Sequence, residues 1–104
     1  MSDFIELLVT LLPSDVGGRT SAVAPRSGTY RPVVRSAQGA CTRVRFLEGP
    51  PQIAPGEAAL VVAEAESESE ESLFAGDELD LVEADGRVVG IATLVRLWRA
   101  AVSA

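Results

Sequence analysis

Apolar residues in this chain recur at every second position, in short runs cut off by Gly and Pro, and no stretch shows the spacing of an amphipathic helix. Phe4–Leu12 (FIELLVTLL) places Ile5, Leu7, Val9 and Leu11 on one face, and Pro13 with Ser14-Asp15 ends it. Leu8 and Leu12 fall on the opposite face, so that side is not fully solvated. Five further runs follow: Tyr30–Arg35, Cys41–Leu47, Ala58–Ala63, Glu78–Glu83 and Val88–Leu97. The breaks between them carry turn chemistry: SAQGA at 36–40, Glu48-Gly49-Pro50-Pro51, Pro55-Gly56 suited to a type II turn, and Asp85-Gly86 of a hairpin. Six strands without a helix predict an all-β, six-stranded antiparallel closed barrel, because closure removes the sheet edges that invite aggregation. At 104 residues the chain is read as a single domain, 1–104.

Several positions carry local expectations. Ser14–Thr29, with Gly17, Gly18, Pro25 and Gly28, is a long connection, either a functional loop or an excursion across one barrel end. Pro32 has no N–H and belongs at a strand start, an edge or a bulge. Val44 and Phe46 share one face of their strand, opposite Arg43 and Arg45. Cys41 is expected to be a small buried hydrophobe. Leu60, Val61 and Val62 in succession predict a strand buried on both sides. Leu79 and Leu81 face inward, and Gly90 marks a bend or a close backbone approach. Residues 64–72, opening with EAESESEE, predict an acidic solvated loop without the ligand spacing of an EF-hand. Leu73-Phe74 is expected to dock the chain back onto the body, and 99–104 to be a frayed tail.

Charge is distributed unevenly. The net charge is −6, yet residues 1–62 hold six Arg against five acids, whereas 63–104 hold three Arg against ten. From Val16 to Leu47 there are six arginines and no acid: Arg19, Arg26, Arg31, Arg35, Arg43 and Arg45. If Tyr30–Arg35 and Cys41–Leu47 pair as a hairpin, Arg31, Arg35, Arg43 and Arg45 line one outer surface. Guanidinium is planar and permanently charged, and pairs in bidentate fashion with carboxylate or phosphate.

The residue inventory restricts the chemistry. A single cysteine and no histidine speak against a disulfide, a zinc site and any histidine-based triad. The absence of lysine excludes a P-loop and hence nucleotide hydrolysis by that route. Asp77 and Asp80 lie on an ordinary strand beside Leu79 and Leu81, where a solvated outer face is the simpler explanation. The expectation is a protein without enzymatic activity, cofactor or metal. Met1-Ser2-Asp3 lacks a basic leader, and Ile5–Leu12 is far shorter than the roughly 20 residues that span a bilayer, so a cytoplasmic protein is expected.

Read together, these motifs resemble a known family. Leu11-Leu12-Pro13 with Gly17-Gly18-Arg19, then Gly28 and Tyr30-Arg31-Pro32 with Arg35, Pro55-Gly56 before a strand, and Gly86-Arg87 with Val89-Gly90 are similar in order and spacing to the C-terminal β-barrel domain of elongation factor Tu and related translational GTPases. The resemblance covers roughly Phe4 to Leu97. It implies a six-stranded barrel of Greek-key type that is not catalytic, packs against neighbouring domains, and helps hold the T-stem backbone of aminoacyl-tRNA. It also implies structural roles for Gly17, Gly18, Tyr30, Pro32, Pro55, Gly56, Gly86, Arg87 and Gly90. Thr20 stands where the family commonly has histidine and Val33 where it has glutamine. Two positions that face tRNA in the family therefore differ in type. The glutamate of the family's terminal hairpin matches Glu83 or is replaced by Ala84.

Three roles for the arginines follow: internal pairing with the surplus acids, a face for an acidic protein, or an RNA-backbone face. The leading expectation is a free-standing barrel that binds a protein partner, translation-related or a second copy of itself. The alternative is binding of RNA or tRNA through the arginine face.

Overall fold

A computed structural model describes residues 3–65 and 75–99 of the chain, the side chains of Asp3 and Arg99 excepted. Six strands form: β1 (Asp3–Leu11), β2 (Val33–Arg35), β3 (Cys41–Glu48), β4 (Ala58–Ala65), β5 (Glu78–Val82) and β6 (Val88–Arg99). They close into one barrel in the order β1-β4-β3-β2-β5-β6, with every neighbouring pair antiparallel. The expected all-β, closed six-stranded antiparallel barrel is thus the observed fold.

The central strand is β1. It pairs with β4 from Asp3↔Ala65 to Thr10↔Ala58, and with β6 from Asp3↔Arg99 to Leu11↔Gly90. Its period of two sends Ile5, Leu7, Val9 and Leu11 into the interior, where all four are buried. They meet Val34 of β2, Val44 and Phe46 of β3, Val61 and Ala63 of β4, Leu79 and Leu81 of β5, and Val89, Ala92 and Leu94 of β6. Side chains fill an interior of this strand number, so the barrel is a packed core.

Three bulges adjust the closure. The register shifts between Phe46 and Glu48 on β3, between Leu81 and Val82 opposite β6, and between Glu6 and Leu7 opposite β6. The last two leave Val89 and Val95 as extra residues on β6 and switch its inward parity. Val89 is buried before the switch, and Ala92 and Leu94 after it. Gly90 directly follows the Val89 bulge and is the Cα partner of the inward Leu11 and Leu81. A Cβ there would stand 2.6 Å from the Thr10 carbonyl oxygen, so β1 and β6 close together only around a residue without a side chain.

The connection after β1 covers one barrel end. Gly18 packs where a Cβ would sit 2.1 Å from the Leu12 carbonyl oxygen, and its N–H donates to Pro13 O at 3.1 Å. Val23 and Ile53 then exchange backbone hydrogen bonds of 2.9 and 2.8 Å and are both buried in the core. Ser14–Val16 and Pro25–Ser27 are single 3-10 turns. The segment takes the expected course across a barrel end and contributes Val23 to the core. Glu57 N donating to Ala54 O (3.0 Å) closes the Pro55-Gly56 turn, and Glu83 N donating to Arg87 O (3.0 Å) closes the β5–β6 hairpin.

Three expectations are corrected. Cys41 is exposed, because Thr42, Val44 and Phe46 take the inward positions of β3 and Cys41 shares the parity of Arg43. The succession Leu60-Val61-Val62 is not buried on both sides: Val61 points inward, while Leu60 lies on the outer wall and is exposed. Glu64 and Ala65 belong to β4 rather than to an acidic loop. Residues 66–72, the Leu73-Phe74 docking and the tail beyond Arg99 lie outside the described residues; Arg99 itself ends β6.

Replacing Gly90 with Ala is expected to lower the unfolding free energy by about 2 kcal/mol or more, because backbone on β1 must give way. Phe46→Ala, which empties the largest buried side chain, is expected to cost about 3–5 kcal/mol. Urea unfolding followed by Trp98 fluorescence reads both. An unchanged midpoint for Gly90→Ala contradicts the tight β1–β6 approach.

Candidate functional site

The barrel has two unlike outer walls, and the register of the strands makes them so. On one side β2 and β3 pair as Val33↔Arg43 and Arg35↔Cys41. Hydrogen bonds from Val44 N to Pro32 O and from Phe46 N to Tyr30 O, both 3.0 Å, carry the same register on to Tyr30. Arg31, Arg35, Arg43 and Arg45 therefore share the outward parity, as the hairpin pattern predicts. The flanking strands bring acids to them. Asp80 of β5, the Cα partner of Arg35, meets it at 3.1 Å, and Glu64 of β4, the Cα partner of Arg45, meets it at 3.0 Å. The Arg45 Nε is buried without a hydrogen-bond partner. Arg31 and Arg43 have contacts of their own. Arg26 stands apart and donates to Gly49 O at 2.7 Å, tying the end-covering loop to the β3 terminus.

Arg19 belongs to a separate cluster. The turn at Gly17-Gly18 directs it to Glu83 at the base of the β5–β6 hairpin, where Nη1 pairs with Oε2. The Tyr30 hydroxyl donates to the same oxygen at 2.7 Å, and the Arg19 guanidinium lies over the Tyr30 ring, 5.3 Å from its centroid. Arg87 approaches the other oxygen, Oε1, at 3.9 Å. Below, the Tyr30 ring meets Phe46 edge-on at 5.1 Å, joining the cluster to the core. Arg19, Tyr30, Arg31, Pro32, Glu83 and Ala84 line an open depression of about 220 Å³. Burial, and then the hydrogen bond and charge of Glu83, push the Tyr30 phenol well above its ordinary range. Glu83 is the residue that sequence patterns did not single out as functional. Tyr30 and Arg19 lie 53 and 64 positions away from it, and its sequence signals are an acid beside a hairpin turn and the resemblance's open match to the glutamate of the family's terminal hairpin.

The second wall is apolar. The exposed large apolar residues among those described are Leu8, Val16, Leu60, Ile91, Val95 and Leu97. Leu8 lies on the outer face of β1, directly beside Leu60 of β4, at 42% and 52% exposure. On its other side Leu8 pairs with Thr93 of β6, which places Ile91 and Val95 at the diagonal positions. Phe4 and Trp98 stack at the far end with centroids 6.1 Å apart, and Arg96 lies over the Trp98 ring at 4.6 Å. No helix among the described residues is long and apolar enough to cross a membrane. No protein-family profile matches the chain, and no curated protein matches it.

The cluster has a direct optical signature, because Tyr30 is the sole tyrosine. Phenolate absorbance is expected to rise only well above the ordinary value near 10, and Glu83→Gln to lower the midpoint by removing a facing charge. Since the folded pKa exceeds the unfolded one, Tyr30 stabilises the fold fully below about pH 10 and less as pH rises above it. A midpoint near 10 in the native protein contradicts the burial of the phenol and its hydrogen bond to Glu83.

Proposed function

We propose that this protein is a non-catalytic binding module, akin to the C-terminal barrel of elongation factor Tu, and that it engages a protein partner through the outer wall of β4, β1 and β6. The observation that carries this is the grouping of Leu60, Leu8, Ile91 and Val95 on three adjacent strands. Isolated surface leucines are ordinary, but exposed apolar residues that are cross-strand neighbours form a contiguous patch, the kind of surface that contact sites use. In a multidomain factor the sides of such a barrel are covered by its neighbours. Among the described residues of this chain nothing covers the β4–β1–β6 wall. The lack of lysine and histidine supports a role in binding rather than catalysis. On this reading the protein works in the cytoplasm, with translation components the first partners to try.

The RNA alternative has less support. Arg19, Arg35 and Arg45 are engaged by Glu83, Asp80 and Glu64, so a phosphate backbone would have to compete with carboxylates already in place.

Replacement of Leu8 by Glu tests the module directly. It is expected to leave the melting temperature within a few degrees and to abolish protein association detected by cross-linking. Equal association by wild type and variant defeats the assignment of the wall. Binding of tRNA at low ionic strength, steeply weakened by salt, would favour the arginine side instead.

A further inference from the structure

Resting on the assignment of the β4–β1–β6 wall as a docking face, we infer that its occupant is a second copy of this chain, related by a two-fold axis parallel to the strands between β1 and β6. The inference comes from how charge and shape are arranged about that line. Among the described side chains of β1 and β6 the charged ones are Glu6 and Arg96, and they are Cα partners at the same height on the two strands. Within one chain they meet loosely, at 3.8 Å, and Arg96 is 65% exposed. Guanidinium donors are therefore left for a further acceptor.

A two-fold rotation about this axis lays β1 of one protomer over β6 of its partner without changing height. Glu6 then faces Arg96 of the other copy, and the reverse pair forms by symmetry, giving two oppositely charged contacts and no like-charged one. The same operation sets Leu8 above Thr93, in the hollow between Ile91 and Val95. Phe4 is set over Trp98. A two-fold interface must be self-complementary, and the β1–β6 pair meets that condition in charge; the same rotation lays β4 beside β5 of the partner, with Leu60 at the height of Glu78. An axis along β1 would instead bring Glu6 against Glu6. The described side chains of β1 and β6 carry one acid and one base, and Glu64 of the adjoining β4 is held by Arg45.

Sedimentation equilibrium across a micromolar concentration series, on the full chain, tests this. Wild type is expected to associate to a dimer. Glu6→Arg and Arg96→Glu singly are each expected to raise the dissociation constant by about tenfold or more, and the double exchange to restore it. Melting temperatures should barely change across the set, since an exposed pair contributes little to folding. Failure of the double exchange to restore association overturns the two-fold arrangement. A wild type that stays monomeric throughout overturns self-association. If that monomer nevertheless binds another protein in a manner lost on Leu8→Glu, the docking wall stands and only its occupant was misassigned. A monomer whose association with any protein is indifferent to Leu8→Glu removes both.

Discussion

Everything in this molecule depends on β1 being hydrogen-bonded on both sides. A six-stranded antiparallel sheet left open would expose two edges, and each unpaired edge is a template for aggregation. Here β1 is the strand that joins β4 to β6, and the join with β6 is tight enough that Gly90 lies against the Thr10 carbonyl. The same strand supplies four of the largest contributions to the interior, Ile5, Leu7, Val9 and Leu11. Closure and core are consequently one event, since the pairing that removes the edges also brings the inward residues together.

Closure also divides the outside into two walls of opposite character. On the β5–β2–β3–β4 side, strand register sets arginines of the central hairpin beside acids of the flanking strands, and the charges largely satisfy one another. Each such exposed pair is worth about 0–1 kcal/mol, so the lattice contributes little to stability and mainly removes free positive charge from that surface. On the β4–β1–β6 side Leu60, Leu8, Ile91 and Val95 are exposed, and the charges of β1 and β6 among the described side chains are the single pair Glu6 and Arg96. The Arg19–Tyr30–Glu83 cluster lies at the seam between the end-covering loop and the β5–β6 hairpin, where it fastens elements that the sheet itself does not connect.

Much of this architecture is legible in the residues. The period of two in Phe4–Leu12, the inward Leu79 and Leu81, and the turn signals at Pro55-Gly56 and Asp85-Gly86 all lead to the observed elements. The outward placement of Arg31, Arg35, Arg43 and Arg45 also follows from parity alone. What escapes is whatever requires register. Cys41 was expected inside because of its chemistry, yet its parity with Arg43 decides its exposure. The apolar run Leu60–Val62 suggests a strand buried on both faces, yet Leu60 is exposed on an outer wall. Val88–Leu97 carries bulges at Val89 and Val95, where valine gives no sign of one. The partners of Arg19, Arg35 and Arg45 become known only once distant strands are aligned.

Methyl-resolved NMR of the protein, compared between dilute and concentrated solution, tests most directly whether two copies of this barrel meet through the apolar wall. The account predicts chemical-shift changes centred on Leu8, Leu60, Ile91 and Val95, with the core methyls of Val44 and Leu79 unmoved. Shifts that cluster instead around Val33 and Val34, beneath the arginines, or no shifts at any concentration, would contradict it.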